Sequence, residues 1–170
     1  MDLAKLVRDV PDFPVEGILF KDITTLLQRA DAFREAVDAL ATRFADKDVD
    51  QVVAIESRGF VFGAPLAYKL GAGFVPVRKP GKLPAKTISV EYSLEYGTNT
   101  LEMHVDAIEP GQKVLLVDDL LATGGSAKAA IELVERLGGI VVGAAFLIEL
   151  EFLQGAKKLE GYEVFSLIRF

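Results

Sequence analysis

The 170-residue chain contains no cysteine and a single histidine, His104. The first absence excludes disulfides, thiolate nucleophiles and cysteine-bound zinc, and the second leaves no His-rich metal site. Basic charge is also short, with 19 Lys and Arg against 25 Asp and Glu, for a formal net charge of -6. Proteins that hold nucleic acid displace counterions with a basic face, so this balance argues against general nucleic-acid binding. No apolar run approaches the ~18 residues that cross a bilayer. The stretch "MDLAKLVRDVPDF" has no unbroken apolar core behind a basic start, so it does not read as a secretory leader. What is present is a chain of 51% hydrophobic residues, long enough to bury one core. The expectation is a single domain over residues 1–170, cytoplasmic and without a membrane partner.

Five apolar, β-branched runs punctuate the chain: Val52–Ile55, Phe74–Val77, Val114–Val117, Ile140–Ile148 and Val164–Ile168. Several are continuous, which suits strands covered on both faces of a parallel sheet. Helical patterns lie between them. In "DAFREAVDALATRF", Phe33, Val37, Leu40 and Phe44 line one face. In "GGSAKAAIELVERLGG", Ala127, Ala130, Ile131, Val134 and Leu137 do the same, and Gly138-Gly139 supplies a stop. A shorter helix fits between Phe60 and Leu70, with Pro65 limiting how far upstream it starts. This alternation predicts an α/β fold, a mainly parallel central sheet flanked by helices with right-handed crossovers.

Two segments fall outside the rhythm. "PDFPVEGILFKDITTLL", residues 11–27, is rich in Pro and Gly and reads as a loop or small cap. Residues 79–105, "KPGKLPAKTISVEYSLEYGTNTLEMHV", form a long polar excursion whose partial alternation predicts a hairpin arm. A connection this long inside a compact domain is usually functional, often a lid.

The chemistry concentrates in "VLLVDDLLATGGSAKAA", residues 114–130. A strand reading "VLLV" ends on Asp118 and Asp119, so both acids are expected on the rim beyond the carboxyl end of the sheet. Ala122-Thr123-Gly124-Gly125-Ser126 then leads into a helix from about Ser126. Glycines admit a phosphate close to the backbone, hydroxyls and free helix N–H groups donate, and the helix dipole favours an anion. A tight turn with surface carboxylates would explain a lone pair of acids, but the complete run is more specific. A P-loop is excluded by wording, since GxxxxGK[ST] is absent, and "GAGFVP" carries too few glycines for a dinucleotide fingerprint.

"VLLVDDLLATGGS" resembles the 5-phosphoribosyl 1-pyrophosphate (PRPP) motif of type I phosphoribosyltransferases. "ESRGFVFGAPLA", "VRKPGKLP", "SLEYG" and "FPVEGILFKDITTLL" occur in that family's order and resemble its adenine-using members. The resemblance implies the type I phosphoribosyltransferase fold and Mg²⁺-dependent transfer of 5-phosphoribosyl from PRPP to adenine, giving AMP and pyrophosphate. It assigns the 5-phosphate to Ala122, Thr123, Gly124, Gly125 and Ser126. Asp118 and Asp119 would take the ribose hydroxyls and help organise Mg²⁺ through PRPP and water. Glu56, Ser57, Arg58 and Gly59 would form a pyrophosphate loop, often with a cis peptide at the first bond, joined by Arg78, Lys79 and Lys82. Some of these cations cross to a neighbour in the family, which implies a homodimer. Glu95 would handle the proton on adenine, Tyr96 would help close the lid, and Arg58 would act on the leaving group.

The same resemblance makes residues 11–27 with 149–160 a hood for adenine, lined by Leu19, Phe20 and Leu150. Many members have Asp at the Glu56 position and Arg at the Lys21 position, so no base contact is assigned to Lys21. His104 has two readings, facing pyrophosphate or satisfied within the structure. Two rival functions stay open, the same chemistry on another purine and a PRPP-sensing regulator. The acidic surface and the retained Glu95 count against the second.

Overall fold

The computed structural model describes residues 1–94 and 96–170. From the amino end, β1 (Arg8–Pro11) and β2 (Leu19–Asp22) form an antiparallel hairpin, followed by the one-turn α1 (Thr24–Leu27). The expected loop at 11–27 is therefore partly regular structure. Its corner is tied by Asp22, which accepts from the Thr24 N–H and hydroxyl and from Arg8. The Thr24 backbone donor, then Arg8, pull the Asp22 carboxyl down to about 2. Next come α2 (Ala30–Phe44), β3 (Gln51–Ile55), α3 (Arg58–Leu70) and β4 (Gly73–Val77). The excursion folds as an antiparallel hairpin of β5 (Thr87–Ser93) and β6 (Thr98–His104). The chain closes with β7 (Lys113–Leu121), α4 (Gly125–Arg136), β8 (Ile140–Glu149) and β9 (Val164–Arg169).

Among the described residues, five strands form one parallel sheet in the order β4-β3-β7-β8-β9. Its strands are covered on both faces, which is why they read as continuous apolar runs. Val52, Ala54, Leu115, Val117, Ala145 and Leu147 face α2 and α3. Val53, Ile55, Leu116, Ala144 and Phe146 face α4 and the β5–β6 hairpin. The hairpin contributes Val90, Leu101 and Met103 to that second core, so its base is part of the packed domain.

Helix faces differ from expectation in detail. In α2 the small Ala32, Ala36 and Ala41 are buried beside Val37, Leu40 and Phe44, while Phe33 is half-buried with its ring against Phe62 at 5.8 Å. In α4, Leu137 falls just past the last turn, and Gly138 with Gly139 ends the helix as predicted, Gly139 donating to the Val134 carbonyl at 3.0 Å. α3 starts at Arg58, earlier than expected, and runs through Pro65. An interior proline costs about 3 kcal/mol in a lost hydrogen bond and ring clash. Burial of Phe62, Leu66 and Ala67 on the sheet offsets it.

Phe44 is fully buried, and its ring fills the space a side chain at Gly143 would need. Phe44→Ala should therefore leave a cavity that the β8 backbone cannot close. The expected loss is about 3–5 kcal/mol, read as a lower urea midpoint with unchanged m. A change below about 1 kcal/mol would show that α2 and β8 collapse together.

Candidate active site

The sheet order reverses between β3 and β7, since later strands add on either side of that pair. In open α/β sheets the crevice at such a switch point, beyond the carboxyl strand ends, receives the ligand. Here the crevice is opened by unequal strand lengths. β3 pairs with β7 only as far as Ala54 with Val117, then turns away into α3. β7 continues for four more residues, held on its other side by β8 up to Leu121 with Glu149. A cleft of about 310 Å³ lies there, lined by Glu56, Ser57, Arg58, Lys79, Asp118, Asp119, Ala122, Thr123, Gly124 and Ser126, among others.

The acids differ from expectation in one respect: they lie within the strand and are buried, each about 8% exposed, not on a solvated rim. Asp118 Oδ1 accepts the Asp119 N–H at 2.8 Å, and Arg58 Nε donates to Asp119 Oδ2 at 2.7 Å. Burial, then the adjacent Asp119 charge, push the Asp118 carboxyl well above its usual range, with Arg58 pulling weakly the other way. Burial also opposes the charge on Arg58, but Asp119 and Asp118 outweigh it and the net shift is upward. The adjacent acids are thus countered by one bonded cation, Arg58, which reaches only Asp119 directly.

The 122–126 turn sits at the start of α4, where Gly124 occupies the N-cap position with φ +88°. Among the described residues no side chain caps this helix, and its start at Gly124, Ser126 and Ala127 lines the cleft. A Cβ on Gly124 would meet the Gly155 carbonyl oxygen at 2.5 Å, so the loop before β9 backs the turn closely.

The first-bond expectation for "ESRG" is met by a cis Glu56–Ser57 peptide. The side chains behave differently from a simple anion loop. Glu56 accepts from Arg78 Nε at 3.1 Å and from the Lys79 N–H at 2.8 Å, so its carboxylate organises the next basic segment. Gly59 is buried against β7, and a Cβ there would meet Asp118 Oδ1 at 2.9 Å. The close approach it permits is to the strand that carries the acids.

Of the basic trio, Lys79 lines the cleft of its own chain, Arg78 is half-buried beside Glu56, and Lys82 is exposed outside the cleft. Tyr96 is 88% exposed at the hairpin tip. Glu95 lies outside the described residues. Among the cleft residues that were not anticipated, the polar ones are Tyr92 and Asn99, which face each other across the β5–β6 pair. They are direct partners in the strand pairing, so the hairpin register was the available signal. Burial raises the Tyr92 hydroxyl above its usual value, the Asn99 hydrogen bond pulling down and the Asp118 charge adding to the rise. Tyr92 therefore stays a donor, and its ring lies over Gly125.

The hood adjoins this cleft without lining it. Leu19 is 53% exposed, and Phe20 stacks edge-on against Phe13 at 5.1 Å. Arg58 lies 5.6 Å over the Phe20 ring, linking the hood to the paired acids. Leu150 follows β8, and its N–H donates to the Leu121 carbonyl at 3.0 Å, which fixes it beside the 122–126 turn. Lys21 is engaged by Asp9 at 2.6 Å and by the Phe170 ring at 4.0 Å, away from the cleft.

Comparison with known proteins agrees with this geometry. Residues 22–168 match the family described as the phosphoribosyl transferase domain. The adenine phosphoribosyltransferase of Thermotoga sp. (strain RQ2) is 61% identical over 168 residues, covering 99% of both chains. The crystal structure of the adenine phosphoribosyltransferase from Thermoanaerobacter pseudethanolicus superposes with a TM-score of 0.97 at 57% identity, covering 99% of this chain and 98% of that one. The Saccharomyces cerevisiae enzyme, crystallised with an imino-altritol bisphosphate and adenine, gives a TM-score of 0.91 at 44% identity over 98% and 96%. With such identity sustained from end to end, on a type I phosphoribosyltransferase fold, the chain belongs to the adenine phosphoribosyltransferase family.

Proposed function

We propose that this cleft carries out the family reaction, adenine plus PRPP giving AMP and pyrophosphate, with each residue in the following role. The observation that carries the reading is the juxtaposition of Asp118 and Asp119 with the uncapped start of α4 behind Gly124. Residues Ala122–Ser126 hold the 5-phosphate through backbone N–H groups and the Thr123 and Ser126 hydroxyls. Asp118 and Asp119 accept from the two ribose hydroxyls, which gives two ordered acceptors for a diol. Arg58 and Lys79, with the backbone of Ser57, receive the pyrophosphate as it leaves carbon 1. Adenine lies in the hood between Phe20 and Leu150, near the Leu19 backbone, and attacks from the face opposite the leaving group. Glu95 exchanges the adenine proton. No covalent intermediate on the protein is needed, and the rate comes from positioning and charge stabilisation.

Mg²⁺ fits this donor set. Two buried carboxylates face the cleft, and among the described residues no cluster of three or more His, Asp or Glu forms a protein cage. Such a site suits an ion that takes most of its oxygens from substrate and water. Bound there beside Asp118 and Asp119, it would neutralise charge on the pyrophosphate. The part of the hairpin that closes over the site is the tip beyond Tyr92 and Asn99, because Val90, Leu101 and Met103 anchor the base. A homodimer is the proposed working unit, supported by Tyr68 at 89% and Phe74 at 37% exposure. No described helix is long and apolar enough to cross a membrane; the proposed role is purine salvage in the cytoplasm.

The test is AMP formation with PRPP and Mg²⁺, run with adenine, hypoxanthine and guanine in parallel. Adenine should be preferred by at least ~10²-fold, because a site built on hydrogen bonds to one purine edge leaves groups unpaired with another. Equal use of hypoxanthine would overturn the hood assignment. PRPP binding without transfer to any base would favour the regulatory reading.

A further inference from the structure

The segment from Arg78 to Lys86 carries four cations in nine residues and belongs to no helix or named strand. Like charges on an irregular loop repel, so something must hold it. The holding groups come from one edge of the hairpin. In β6, Leu101 and Met103 turn into the core, and Glu102 and His104 point to the opposite, half-buried face. Arg78 exchanges two backbone hydrogen bonds with Glu102, at 3.0 and 2.7 Å. The Glu102 carboxylate accepts the Gly81 N–H at 3.2 Å, and His104 Nε2 accepts the Ala85 N–H at 3.3 Å. The Val105 N–H closes the far end on the Lys86 carbonyl at 3.0 Å.

The Gly81 contact bears on chemistry because of the turn it holds. Lys79-Pro80-Gly81-Lys82 closes with a Lys82 N–H to Lys79 carbonyl bond at 3.4 Å, and Gly81 has φ +81°. Proline second and a positive-φ glycine third is the pattern of a type II turn, which brings its end residues within ~7 Å. Lys79 and Lys82 are therefore presented side by side, and Lys79 lines the cleft. An acid near a site for a polyanion is unfavourable unless it has another task. Glu102 does not line the cleft, and its carboxylate is spent on the turn.

We propose that Glu102 and His104 are positioning residues that fasten the basic loop to the hairpin and so set the affinity for the pyrophosphate end of PRPP. The inference rests on the reaction proposed above and assigns these two residues a role in it. It also places His104, whose ring acts on the Ala85 backbone and not on a ligand.

The experiment compares wild type, Glu102→Ala, Glu102→Gln and His104→Ala. Pyrophosphate affinity with Mg²⁺ is measured by calorimetry, and steady-state constants are measured for both substrates. Glu102→Ala should weaken pyrophosphate binding and raise KM for PRPP about tenfold, the scale of one hydrogen bond to a charged acceptor. Its kcat and its KM for adenine should stay within about twofold. Glu102→Gln keeps an acceptor oxygen and should restore binding to within about twofold of wild type. His104→Ala should lose roughly threefold, a neutral hydrogen bond, and keeps the test decisive if Glu102→Ala does not fold. Wild-type affinity in both alanine variants, equal loss in Glu102→Gln and Glu102→Ala, or parallel changes for adenine would each overturn the proposal. A wild type that binds pyrophosphate yet makes no AMP would sink the proposed reaction and leave the affinity comparison standing. A wild type that binds no pyrophosphate would overturn both.

Discussion

Asp118→Asn is expected to cut AMP formation by roughly 10²–10³-fold, the range for removing one preorganised electrostatic partner, and at the same time to raise the thermal midpoint of the free protein. The opposite signs share one cause. Asp118 is buried beside Asp119, and Arg58 bonds only the second of the pair directly. Without substrate or metal, a charged Asp118 is a cost that folding must overcome. Burial and the Asp119 charge hold its carboxyl well above the usual 3.8. A group whose folded pKa is raised binds its proton more tightly in the native state. Its stabilising contribution is thus complete below about pH 4 and is lost as pH rises through the folded value. Asparagine keeps the shape and an oxygen that accepts the Asp119 N–H, but it carries no charge to desolvate. The advantage of the variant should therefore widen from pH 4 to pH 8. At pH 8, in chelator and without ligand, a gain of ~1 kcal/mol would appear as a rise of about 2–4 °C. A variant less stable than wild type at pH 8 would mean that the acid pair is already compensated in the free protein.

Gly124→Val is the second large expected effect, and it acts through backbone geometry. Residue 124 has φ +88°, which a β-branched side chain rarely adopts. Changing the backbone does not relieve the problem, because a Cβ there would also meet Gly155 carbonyl oxygen at 2.5 Å and two further Gly155 backbone atoms at 3.2 and 3.3 Å. The packing is equally close from the other side, since a Cβ on Gly155 would meet the Ala122 carbonyl oxygen and, at 3.1 Å, the Gly124 nitrogen. The turn must open, and the N–H groups proposed to cradle the phosphate move with it. PRPP and AMP affinity should fall at least ~10²-fold, because a 1 Å displacement of a positioning element has effects of this size. The midpoint should drop by about 5–10 °C, for a loss of ~2–3 kcal/mol. Gly125→Ala is the contrasting variant. A Cβ at Gly125 would meet only the Tyr92 ring, at 3.1 Å, and a side chain can shift where backbone cannot. Nearly unchanged PRPP affinity in Gly124→Val would remove the 122–126 turn from phosphate binding.

Patterns set by near neighbours in the chain could be read without coordinates. The five apolar runs became the five strands of the parallel sheet, and the Gly138-Gly139 stop and the 79–105 hairpin lie where their residues placed them. Pro65 was weighed as a local breaker, and α3 nevertheless runs through it because its apolar face is buried on the sheet. The small-residue turn at the start of α4 was legible for the same local reason, since glycines, hydroxyls and a helix start fall within six residues.

The sequence by itself determined the α/β order of elements, the pairing of two acids with a small-residue turn, and the cations that accompany them. These depend on periodicity, turn propensity and composition, all of which act over a few residues. Only the tertiary structure decided how those groups are used. β3 departs one position before Asp118 while β8 continues, and that difference buries the acids inside a strand and opens the cleft. It also turns Glu56 toward Arg78, sets Gly59 against Asp118, brings Tyr92 opposite Asn99 over the 122–126 turn, and lays Glu102 along the basic loop. Each of these contacts joins residues at least seven positions apart through sheet register or helix packing, and no window of sequence records where a neighbouring strand will end.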